Sequence, residues 1–167
     1  MIAFKWLLKN AVSPFTGFRW APRAWVDAPP TAGPGAGIHS CRIADLPWWV
    51  SEELWRVELE GPVVERATQI EAPRGRILER IERWDPRVYA DACAARVAAL
   101  GRGPAAEELE GYARDAQRRA ESGAAGNASY IAAVAAVAAA GGDERAFAAE
   151  RAWQAQWLAH ELRLIAG

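Results

Sequence analysis

A histidine two residues ahead of a cysteine, in Gly37-Ile38-His39-Ser40-Cys41, is the first arrangement in this chain that could do chemistry. An imidazole can activate a thiol when the two lie within hydrogen-bond reach. Two residues along a strand are too close for that bond, although His39 and Cys41 share a strand face. The residues alone therefore predict a strand with both side chains turned into a partly polar interior. Arg74-Gly75-Arg76 comes second, because two guanidinium groups around a glycine can grip a carboxylate or phosphate bidentately. A turn with two solvated arginines is the commoner use of that triplet. Glu79 and Glu82 would share a face of a helix, but they alternate with Arg80 and Arg83, and surface ion pairing then outweighs acid–base work. The third arrangement is the set of seven tryptophans at 6, 20, 25, 48, 49, 55 and 84, more indole than a small core needs. Most of these rings belong in a core, and the remainder suit the wall of a pocket or an interface. The expected ligand-binding set is His39, Cys41, Arg42, Arg74, Arg76, Trp48 and Trp55, with no residue assigned a catalytic role.

Other chemistries are excluded by what is missing. Cys41 has only His39 nearby and His160 is remote, so no zinc spacing exists and no metal is expected. There is no glycine-rich phosphate loop, serine elbow, kinase or metalloprotease motif, and no cofactor is expected. A net charge of −1 with no dense basic cluster disfavours nucleic acid. Eighteen of the 20 basic residues are Arg, which with the abundant Ala reads as the codon bias of a GC-rich bacterial genome. Cys41 and Cys93 read as two reduced thiols. The run MIAFKWLLKNAV is too short, and too interrupted by Lys5 and Lys9, for a signal peptide or membrane span; Ile131–Ala140 is also too short. A soluble, cytoplasmic protein is expected.

The elements that must position these residues change character near Trp84. Residues 1–87 hold seven of the nine Trp and 10 Ala, whereas the last 80 hold 28 Ala. The expectation is an α+β protein: a small mixed or antiparallel β half over residues 1–84, packed against an Ala-rich bundle of about four helices over 85–167. Ile2–Leu8 predicts a first strand, and Leu54–Glu60 a half-buried one with Trp55, Val57 and Leu59 on one face. Val63–Glu71 is a candidate partner for it, and Arg76–Trp84 reads as helix or strand. The Pro/Gly-rich stretch 27–37 predicts a surface loop, and Asp45 a cap for a short helix containing Pro47. In the second half Asp85-Pro86, Pro104, Asn127 and Asp143 open four helices, with glycines closing the first three. The Ala face at Ala132, Ala133, Ala136 and Ala139 reads as tight helix packing, or as a flat docking surface.

Ser13-Pro14-Phe15-Thr16-Gly17-Phe18, Gly37-Ile38-His39-Ser40-Cys41, Leu46-Pro47-Trp48-Trp49, Glu53–Leu59 and Arg74-Gly75-Arg76 together resemble a family of actinobacterial proteins of unknown function. They are also similar to a domain of unknown function found beside pentapeptide repeats, which carries a comparable Gly-apolar-His-x-Cys run. The helices closing on Glu150-Arg151-Ala152-Trp153-Gln154 resemble toxin-immunity proteins of bacteria. In element order alone, the first strand, the Gly-apolar-His element and the Trp55–Leu59 strand resemble the ADP-ribosyltransferase core. There the residue at the place of His39 helps bind nicotinamide. This chain departs from that family in having no His or Arg on its first strand and no identifiable catalytic Glu.

Two functions of different class follow. The first is a non-catalytic binding protein, immunity-like, that meets an unknown protein partner through its aromatic wall and Ala-rich surface. The second is an enzyme or small-molecule binder with an ADP-ribosyltransferase-like core and a pocket near His39, where Arg74 or Arg76 would hold phosphate. A homo-oligomeric structural subunit is the third.

Overall fold

The computed structural model describes residues 1–29, 37–100 and 106–164. The loop expected over 27–37 and the helix start expected at Pro104 lie largely or wholly outside those residues. The chain divides into two compact units, Met1–Trp84 with Ala159–Gly167 and Asp85–Leu158. Strands occupy the first and helices the second, an α+β protein as expected.

Seven strands build the first unit: β1 (Ile2–Leu7), β2 (Val26–Asp27), β3 (Ile38–Ser40), β4 (Glu53–Glu60), β5 (Val64–Glu65), β6 (Ile70–Ala72) and β7 (Arg74–Arg80). They form two antiparallel sheets in the orders β1-β4-β7-β2 and β3-β6-β5. Only Pro73 separates β6 from β7, so one bent stretch serves both sheets. Phe4 and Cys41 exchange backbone hydrogen bonds of 2.9 and 2.6 Å and tie β1 to the end of β3. Strands β1, β4, β7 with β6, and β3 thereby enclose a core of Ala3, Leu7, Ile38, Val57, Leu59, Ile70, Ala72 and Ile77.

Two expectations need correction here. The partners of β4 are β1 and β7, and the Val63–Glu71 stretch instead supplies β5 and β6 to the other sheet. The alternation of Trp55, Val57 and Leu59 holds on the core face of β4, while Leu54 on the opposite face is buried too; the register irregularity of the β4–β7 pair falls on β7, at Leu78. Asp45 does not open its 3₁₀ segment, Ile43–Trp48; it sits in the first turn and its carboxylate accepts the Arg42 N–H at 2.9 Å. Arg76–Arg80, left open between helix and strand, is strand.

The second unit holds α1 (Pro86–Leu100), α2 (Ala106–Glu121), α3 (Ala125–Ala139) and all but the last turn of α4 (Arg145–Glu161). Asp85 and Asp143 cap α1 and α4 as expected, each accepting the backbone N–H two residues on. Asn127 does not cap α3. Gly123, at φ +71°, turns the chain sharply enough that α3 begins at Ala125 with Ala124 before it. Helices α1, α2 and α3 pack closely on one another, and Ala128, Ala132, Ala133 and Ala135 are buried in that packing. Ala132 and Ala133 of the expected alanine face are therefore bundle interior, Ala136 is half-buried and Ala139 is exposed. No helix among the described residues is long and apolar enough to cross a membrane.

Candidate functional site

The seven residues expected to share a pocket fall into separate settings. In β3 the side chains alternate so that Ile38 and Ser40 are buried while the His39 imidazole, 42% exposed, lies 4.0 Å from Glu71. His39 thus does not turn into the interior as expected, whereas Cys41 is buried. Glu71 is buried too, held by Arg66 at 3.2 Å and Gln69 at 3.0 Å. The Arg66 bond holds its carboxyl below the usual range, with Gln69 and His39 adding to the effect against the cost of burial.

Arg42 donates to Asp45 at 2.8 Å, to Glu65 at 2.7 Å and to the Arg66 carbonyl at 2.9 Å. Arg74 and Arg76 stack on the Trp25 ring, with guanidinium carbons 4.8 and 4.6 Å from its centroid. Arg74 pairs with Asp27 and Glu60, and Arg76 with Glu58. Gly75 is neither a turn nor an anion loop. It lies in β7 where a Cβ would come within 3.1 Å of Leu59 and 3.2 Å of the Glu58 carbonyl. Every arginine of the expected anion site already holds carboxylates, which a phosphate would have to displace.

The thiols offer no nucleophile. Burial pushes Cys41 up to about 12, with Asp45 adding to the shift. Burial does the same to Cys93, also to about 12. At pH 8 a thiol of that kind is about one part in ten thousand thiolate. Neither cysteine should react with a disulfide reagent in the native protein, and both should react in guanidinium chloride. Rapid labelling of either one in the folded state would contradict the buried setting.

The aromatic set divides between interior and surface. Trp6 and Trp20 are buried, with Trp6 Nε1 bonded to the Leu46 carbonyl and Trp20 Nε1 to Ser13 Oγ. Trp55 is half-buried against the core and donates to Glu53 at 2.9 Å. Between β1 and β2 the chain folds back on itself, pairing Leu8 with Val12 and Val12 with Arg19, and Gly17 at φ +67° makes the tip. This hairpin carries Phe15, 82% exposed, and Phe18, 44% exposed. Phe15 stands edge-on to Trp49 at 6.2 Å, and Trp48 beside it is 43% exposed. Trp49 is itself anchored through its indole N–H to the Thr68 carbonyl at 2.7 Å. A rigid base therefore presents exposed rings to solvent.

Sequence reasoning missed a polar cluster inside the helical unit. Ser129 of α3 accepts from Tyr89 of α1 at 3.1 Å and from Arg151 of α4 at 2.6 Å, and donates to Gln154 at 2.9 Å. Gln154 returns a bond to the Ser129 carbonyl at 2.9 Å. Buried Glu150 takes Arg96 at 2.7 Å, and Arg151 lies over the Phe147 ring at 5.2 Å. Its signal in the sequence was Glu150-Arg151-Ala152-Trp153-Gln154, three polar residues on one stripe of an alanine-rich helix. Each partner is a neighbour within the unit, so the cluster fixes the approach of α4 to α1 and α3.

Among the described residues no group of three or more His, Cys, Asp or Glu side chains could hold a metal ion. No family model, curated protein or solved structure matches the chain.

Proposed function

We propose that the protein is a non-catalytic binding protein that docks a protein partner through the aromatic surface of its strand unit. The carrying observation is Phe15, 82% exposed at a hairpin tip and braced edge-on by Trp49. Phe18, Trp48 and Leu8 are exposed with it. Aromatic side chains held on a rigid support suit recognition, since little conformational entropy is lost when a partner covers them. Supporting the same reading, the arginines of the expected anion site are engaged by carboxylates and both thiols are buried.

The test is affinity capture from the source organism with the full chain and a Phe15→Ser/Phe18→Ser variant. Both rings are solvent-exposed, so the variant should keep the wild-type melting temperature within a few degrees. The reading expects a stoichiometric protein partner bound by the wild type and weakened at least about 30-fold by the double change, the scale of a hot spot of 2 kcal/mol or more. Equal retention by both proteins would overturn it.

A further inference from the structure

Lys5 interrupts the apolar first strand, and its register sends it inward. Ala3, Lys5 and Leu7 share one face of β1, and Ala3 and Leu7 are core residues. On one side the cross-strand neighbour of Lys5 is Trp55 of β4. On the other side, one step from the antiparallel Phe4–Cys41 bridge, stands Ser40. Ser40 is 2% exposed, on the same face of β3 as core residue Ile38, and its hydroxyl has no hydrogen-bond partner. The Lys5 ammonium donates to the His39 carbonyl and lies 5.2 Å from the Trp20 ring centroid. Glu53, the nearby carboxylate on β4, is spent on the backbone N–H groups of Asn10 and Ala11 and on the Trp55 indole. The other titratable neighbours are Cys41, a buried thiol, and His39, paired with Glu71. An amine walled by two indoles, with no carboxylate partner among the described residues and beside an unused hydroxyl, is a setting for covalent chemistry on carbonyl compounds.

We propose that Lys5 is a capture site for a small aldehyde or ketone, with Ser40 as the hydroxyl that bonds the former carbonyl oxygen. The amine lone pair adds to the carbonyl carbon, and the C=O pair moves to oxygen, which is protonated to the carbinolamine. Ser40 Oγ donates to that oxygen. Loss of water, made from this hydroxyl and a nitrogen-bound proton, leaves the C=N bond; one amine and one carbonyl give one imine and one water. Burial lowers the Lys5 amine to about 8, so an appreciable fraction is free base near neutral pH. The Lys5 residue as a whole is half-buried.

The chain has only two lysines, which makes the test internal. The folded protein is treated at pH 7.5 with benzaldehyde and cyanoborohydride, and adducts at Lys5, exposed Lys9 and the N-terminus are counted by peptide mass spectrometry. Lys5 should be alkylated severalfold faster than exposed Lys9, because burial brings the Lys5 amine down toward the working pH. Ser40→Ala, a small change at a site with no hydrogen bond to lose, should cut the Lys5 rate severalfold and leave Lys9 unchanged. Lys5 reacting no faster than Lys9 would overturn the site. An unchanged Lys5 rate in Ser40→Ala would overturn the role of Ser40.

Discussion

Replacing Gln154 with Ala should lower the stability of the helical unit by about 3–5 kcal/mol, the largest single effect expected in this protein. The side chain is fully buried and joins α4 to α3 by two short bonds to Ser129. Its removal takes the acceptor of the Ser129 hydroxyl and one acceptor of Arg151, and leaves a void where the amide stood. Each buried group left without a bond costs about 1–3 kcal/mol, and the cavity adds to that. The paired variant Ser129→Ala/Gln154→Leu also removes acceptors of Tyr89 and Arg151 and should be destabilised at least as much. Chemical denaturation followed by helical circular dichroism reads both. A Gln154→Ala protein within 1 kcal/mol of the wild type would show that the cluster does not hold α4.

The second large effect is a pH dependence that belongs to Lys5. The unfolded chain carries this amine near 10.5, while burial brings it to about 8 in the folded protein. Between those values the unfolded state binds the extra proton, so stability rises with pH there. Below about 8 both states are protonated, and the folded protein bears the whole cost of a charge in a poorly hydrated place. That cost is at most about 3 kcal/mol, reduced to the extent that water reaches the ammonium. Lys5→Met removes the titration. Measured from pH 7 to 10.5, the wild type should gain stability relative to this variant by up to that amount. Loss of the bond to the His39 carbonyl shifts the variant by a constant and leaves the slope difference intact. Parallel curves for the two proteins would place the Lys5 amine in water.

Local features of the fold were legible wherever short-range chemistry decides the outcome. Asp85 and Asp143 cap their helices because a carboxylate two residues ahead of a free N–H needs no tertiary help. The period-2 pattern of β4 marked a strand and its core face, but the bulge at Leu78 of the facing β7 could not be read from β4 alone. Pairing was illegible because it depends on the bend at Pro73, which gives one stretch of chain to two sheets. The candidate site suffered from the same blindness. His39, Cys41, Arg42, Arg74 and Arg76 have the right chemistry for a pocket, and apart from the local Arg42–Asp45 pair each finds its counter-charge or its burial in residues distant along the chain. Polar residues at buried positions hid for the opposite reason. Glu150, Arg151 and Gln154 look like solvated helix surface until Ser129, Tyr89 and Arg96 are brought to them. Lys5 looked like a break in an apolar run, although alternation with Ala3 and Leu7 already placed it on the inner face.

The hairpin at Phe15 is the centre of the functional account, and a photo-cross-linking amino acid placed there tests it most directly. The full chain would carry benzoylphenylalanine in place of Phe15, or of exposed Gln117 on α2 as the control, in cells of the source organism. The account predicts a discrete protein adduct from position 15, absent from position 117 and lost when Phe18→Ser is added. No adduct from position 15, or the same adducts from both positions, would contradict it.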